Sequence, residues 1–167
     1  MALSRTKAAA IACVSLLCVL LVAGCATTPV STMTEEQQAN RNYMTQVNQK
    51  MEALSSNLEN FSDAVSRKDV VSMRTQAENA FKTLDSLEAI EAPEALADVH
   101  EQYVAGTSSL RAALSDYIDL YAEIDSATEQ APFDWSTYDQ RIAGIQSLYD
   151  KGLAALSAGD EAAASKE

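Results

Sequence analysis

His100 is the only histidine in a chain of 167 residues, and that limits the chemistry available. A di-iron site in a helical protein needs two Glu-x-x-His pairs on facing helices, and the residue three before His100 is Ala97. Structural zinc needs four ligands drawn mostly from thiolates and imidazoles. A serine nucleophile needs an imidazole beside it, so the many serines compete for one partner. The sequence contains no glycine-rich phosphate loop and no EF-hand loop. No catalytic residue, metal site or cofactor is therefore expected, and the chain reads as a non-enzyme. His100 lies one step off an apolar stripe, after Val99, and is expected at the solvent edge.

Carboxylates are plentiful, with 24 acids against 12 Lys and Arg. Asp116, Asp119 and Glu123 share one helix face, as do Asp85, Glu88 and Glu91. Such faces can gather divalent cations loosely, but in so acidic a chain they read as solvated outer surfaces. The sequence offers one other notable constellation, the aromatic group Phe133, Trp135 and Tyr138. Tryptophan and tyrosine dominate interface hot spots, so these three could contact a partner. Alternatively, Phe133 and Trp135 fold back over Tyr121 and Ile124. The spacing of Phe133 and Tyr138 about Asp134 is that of a hydrophobic staple.

The three cysteines, Cys13, Cys18 and Cys25, all fall in the first 25 residues. Arg5 and Lys7 precede an apolar run over 8–23, broken only by Ser15, and the run ends in Val22-Ala23-Gly24-Cys25. These are the parts of an export signal. The run is short for a membrane span, which needs about 20 apolar residues. The small pair before Cys25 resembles the lipobox of bacterial lipoprotein signal peptides. That resemblance implies that Cys25 is lipidated with diacylglycerol and becomes the new amino terminus, usually acylated as well. Residues 1–24 would be removed, leaving 143. Arg5 and Lys7 leave with them and no acid does, so the net charge moves from −12 to −14. The mature chain would hold no disulfide. Its surface repels nucleic acid and anionic headgroups, so neither is an expected partner.

The remainder must position whatever function there is. Residues 25–33 read as the lipidated cysteine and a flexible tether. Thr34 and Gln37 have capping-box spacing. The positions Met44, Val47, Met51, Leu54, Leu58, Phe61 and Val65 follow with steps of three and four, the period of a coiled-coil seam. The phase breaks near Arg67 and Lys68, and Asp69 offers a new N-cap. A second seam runs through Val70, Met73, Ala77, Ala80, Leu84 and Leu87, a third from Leu96 to Ile124, and a fourth from Trp135 to Leu156. Helices are expected over about 35–66, 70–91, 93–125 and 135–158. Pro93 and Asp134 would start the third and fourth, and Gly159 would sit just past the last helix before a disordered tail over 159–167. Gly106 inside the third helix marks either a close crossing or a tolerated weak spot.

The fold class expected is all-α, an antiparallel up-down-up-down four-helix bundle over 34–158. The expected role is a lipid-anchored, extracytoplasmic, non-enzymatic interaction or structural module of a bacterial envelope, with an envelope protein as partner. The alternative is a bundle binding a small molecule or cation in a cavity left by Gly106, Ala113, Ala77 and Gly152, which are small at seam positions.

Overall fold

A reciprocal capping box opens the first helix. Thr34 Oγ1 accepts the Gln37 amide at 3.2 Å, and Gln37 Oε1 accepts the Thr34 amide at 3.0 Å. The computed structural model describes residues 33–166. Helix α1 spans Glu35–Ser66. Its end is a Schellman turn: the Asp69 amide donates to Ala64 O and the Lys68 amide to Val65 O, both at 3.0 Å. Lys68 takes the left-handed conformation that this turn requires, with φ 56°. Asp69 then accepts from the Ser72 amide at 3.0 Å and from its hydroxyl at 2.6 Å. These bonds hold its carboxyl below the ordinary range and start α2 (Val70–Glu88). Closing one helix and opening the next takes three residues.

Helix α2 stops at Glu88 rather than near 91. Pro93 biases Ala92 out of the helical region, and Ile90 turns in to be buried instead. Helices α3 (Ala97–Ser126) and α4 (Tyr138–Ala164) are each preceded by a short 3₁₀ turn, Glu94–Leu96 and Trp135–Thr137. Pro93 and Asp134 begin those turns, so both helices start later than their capping residues suggest. Asp134 reaches the Ser136 amide, two residues on, at 3.0 Å. A bond that short in sequence favours the tighter turn.

The four helices form an all-α antiparallel bundle, with no strand among the described residues. Consecutive helices pack side by side. Helix α3 packs against both α2 and α4 and buries residues along most of its length, from Val99 to Leu120, and Met73, Ala77, Ala80, Leu84 and Leu87 of α2 are all buried. Helices α1 and α3 run parallel across the diagonal and meet through ring contacts at two levels. Tyr43 packs edge-on to His100 and Phe61 edge-on to Tyr117, with centroids 5.9 and 5.6 Å apart. Polar groups fix the register. Asn57 donates to Thr83 Oγ1 at 2.9 Å across α1 and α2. The fully buried Thr107 donates to Glu88 Oε1 at 2.6 Å across α2 and α3.

Helices α3 and α4 approach most closely, and glycines permit it. A methyl group on Gly106 would stand 2.7 Å from Leu156 Cδ2, one on Gly152 2.6 Å from Leu110 Cγ, and one on Gly159 2.7 Å from Tyr103 Cε1. Gly106 is therefore a close crossing. Gly159, expected past the helix end, lies buried inside α4, which continues to Ala164 and buries Ala163. The tail expected to be disordered over 159–167 is helical through Ala164. Gly159 is needed there because Tyr103 occupies the space a side chain would take.

These contacts separate the glycines of α4. Gly152→Ala should cost about 1–3 kcal/mol by overpacking. Gly144 is exposed with nothing within 4 Å of its missing methyl, so Gly144→Ala should stabilise by about 0.5–1 kcal/mol. Urea unfolding of both variants checks the pair. Equal effects would contradict the close crossing.

Candidate functional site

Tyr138 begins α4, and Trp135 lies one 3₁₀ turn earlier. Asp134 stiffens that turn through Ser136, whose hydroxyl it accepts at 2.7 Å. The three aromatics expected to act together do meet. Phe133 and Trp135 pack edge-on at 5.0 Å, and Trp135 and Tyr138 at 5.7 Å with their planes tilted by 49°. Phe133 is half-buried and lines a shallow crevice with Ala127, Ala131 and Thr137, beside Glu123 and Arg141. Trp135 is 65% exposed. The expectation that it folds over Tyr121 and Ile124 is not met, because the 3₁₀ turn stops it short and carries it outward. Another large apolar side chain, Val71, is 77% exposed at the start of α2.

The aromatic group continues into the bundle. Tyr117 and Tyr121 stack at 4.7 Å with planes 16° apart, and Phe61 packs against Tyr117. The Tyr138 phenol is raised first by its interaction with Tyr121 and then by burial. Six rings thus link the exposed Trp135 to the interior at Phe61. The sequence shows those rings on three separate stretches, and only packing joins them.

Below these rings the bundle is open on one side. Helices α1 and α4 lack the close backbone approach that the three sequential pairs make. A groove runs between them in two adjoining parts, enclosing about 250 and 490 Å³. Leu58, Ser62 and Tyr149 belong to both parts. The α1 seam splits accordingly. Val47, Leu54 and Phe61 are buried, while Met44, Met51, Leu58 and Val65 are half-buried. Tyr43, absent from the expected seam, is buried at 1% exposure. The cavity expected from small seam residues is not where they are. Gly106, Gly152 and Ala77 are buried in close packing, and of the four only Ala113 borders the open space, which lies along α1 and α4.

The remaining candidates are structural in their contacts. His100 is half-buried at the edge of the core, with Nδ1 3.0 Å from the Tyr43 hydroxyl. Of the carboxylate faces, Glu123 is drawn into a pair with Arg141, with Nη2 to Oε1 at 2.9 Å. That pairing holds its carboxyl below the ordinary range. Asp85 pairs with Arg111, which lies over the Phe81 ring at 5.2 Å. Among the described residues no three His, Cys, Asp or Glu gather as metal ligands, and no helix is long and apolar enough to cross a membrane. Cys25, the expected lipidation site, lies outside the described residues. No family model, curated protein or solved structure matches the chain.

Buried phenols set an alkaline limit. Burial pushes Tyr43 up to about 12. Tyr103 is raised further, by burial first and then by its hydrogen bond to Asp160 Oδ1 at 2.7 Å. A folded value above the unfolded value near 10 means that folding favours the neutral phenol. The stabilisation is complete below about pH 10 and is lost as pH rises toward 12 and beyond. Thermal unfolding followed by circular dichroism should show the midpoint falling above pH 10, and falling less steeply in Tyr103→Phe. An unchanged slope in that variant would contradict the assignment.

Proposed function

We propose that this chain is a lipid-anchored, extracytoplasmic lipoprotein whose bundle is a non-enzymatic protein-interaction module of the bacterial envelope. The single observation supporting an interaction role is the exposure of Trp135 in contact with Phe133 and Tyr138. A largely exposed tryptophan leaves apolar area in water, and a partner that buries it recovers roughly 25 cal/mol per Å². Asp134 and the 3₁₀ turn hold the group on a short, hydrogen-bonded frame. A preorganised aromatic anchor loses little conformational freedom on binding.

Topology supports a direction for the tip. Helix α1 starts at Glu35, the end nearer Cys25 in the sequence, and α3 runs parallel to it, so the α3–α4 connection with Trp135 is at the opposite end of the bundle. If Cys25 holds the chain at a membrane, the aromatic group faces away from that membrane, where a second envelope component is reachable. The acidic surface supports a bundle standing off anionic headgroups rather than lying on them.

Two readouts on intact cells test this reading. Radioactive palmitate should label the wild-type chain and not Cys25→Ala. A photoreactive residue in place of Trp135 should give a discrete crosslinked product that the same residue in place of the exposed Gly144 does not. An unlabelled wild-type chain would remove the anchor. Identical products from both positions would remove the tip.

A further inference from the structure

The groove between α1 and α4 is a second surface, separate from Trp135. From Met51 to Val65 it extends about 21 Å at 1.5 Å per residue, close to four helical turns. Its floor is apolar, formed by Met51, Leu58 and Val65 on α1 and by Ile142, Ile145 and Tyr149 on α4. All six are half-buried, and Leu153 beside them is 40% exposed. In a closed bundle this strip would be covered by the facing helix. Here the two helices stand apart, and the strip is wide enough for water to reach it.

The charges on its two banks are of one sign. At 100° per residue, Ser55 and Ser62 form the inner wall on α1, and Glu59, Glu52 and Asp63 follow outward. On α4, Gln146 forms the wall, and Asp139 and Asp150 follow. All five acids are exposed, and none joins an ion pair among the described residues. The cations beside the groove on these helices, Lys50, Arg141 and Lys151, lie on the faces turned the other way, and Arg141 is held by Glu123. An apolar trough of helical length between two acidic banks is complementary to one kind of occupant. We propose that the groove docks an amphipathic helix from a partner protein, with an apolar stripe and Lys or Arg along both edges of that stripe. This deepens the reading of the bundle as an interaction module but does not use the aromatic tip.

The occupant's chemistry excludes simpler choices on physical grounds. A second copy of this chain would set acid against acid across the groove, in a protein of net charge −12, and like charges across an interface are unfavourable. A cationic peptide without an apolar stripe would gain only screened surface attraction, which is small. Helix-in-groove recognition supplies both terms, with apolar anchors every three to four residues and charges at the rim.

The test uses the full chain in zwitterionic phosphatidylcholine nanodiscs and three synthetic helical peptides of about four turns. The first has leucine on one face and lysine flanking it. The second has the same composition in shuffled order. The third replaces lysine with glutamate. Anisotropy of a labelled first peptide should report binding at least about tenfold tighter than either control. Ser62→Trp fills the groove from its wall, and Glu59→Lys with Asp150→Lys removes most of the negative charge from the banks. Each should weaken the first peptide at least about tenfold. Trp135→Ser should leave it unchanged, which separates this surface from the tip. Equal binding of the shuffled peptide, unaltered binding to Ser62→Trp, or displacement of the peptide by an uncharged apolar dye at equal concentration would overturn the proposal.

Discussion

The closeness of α3 to α4 governs the rest of the structure. Gly106, Gly152 and Gly159 remove the side chains that would keep the helices apart, and Leu110, Leu156 and Tyr103 fill the resulting hollows. One helix cannot lie against two neighbours at minimum distance with the same narrow stripe. With its small residues spent on α3, α4 presents Ile142, Ile145, Tyr149 and Leu153 toward α1 without a close backbone approach. The buried residues of α4 are Gly152, Leu156, Gly159 and Ala163, all in its second half. The first half is held by half-buried side chains only. The bundle is thus closed firmly along α3–α4 and α1–α2 and left open along α1–α4.

The aromatic group and the groove both follow from that asymmetry. The loosely held first half of α4 carries the 3₁₀ turn, so Trp135 is presented outward rather than clamped over Tyr121. The open side gives the groove. Structural polar groups are placed where the packing is tight. Tyr103 reaches Asp160, Thr107 reaches Glu88, and Tyr43 reaches His100. Each joins two helices at a level where the core is closed, so the hydrogen bonds fix register where packing already holds the helices.

Much of this was legible in the sequence where a local rule controls the outcome. The capping box at Thr34 and Gln37 and the N-cap at Asp69 are read from residues three apart, and α1 has the bounds that spacing implies. The all-α bundle follows from the seam period. Boundaries set by tertiary contact were not legible. Gly159 has the composition of a helix stop, yet Tyr103 on another helix makes it an interior residue. Pro93 and Asp134 are correct start signals displaced by a short 3₁₀ turn. The three-four spacing of α1 points to Met44, whereas Tyr43 is the buried residue, since α1 is turned toward α2 and α3 and away from α4. Periodicity shows that a stripe exists and not which neighbour covers it, so the α1–α4 groove had no sequence signal beyond a helical stripe. The aromatic group could be named from spacing, but its exposure depended on how the turn before α4 is built.

Amide hydrogen exchange on the full chain, read residue by residue along α4, tests the asymmetry most directly. The account predicts that amides over 152–163, closed against α3, exchange several-fold more slowly than those over 139–149, which border the groove. Uniform protection along the whole of α4, or greater protection in its first half, would contradict it.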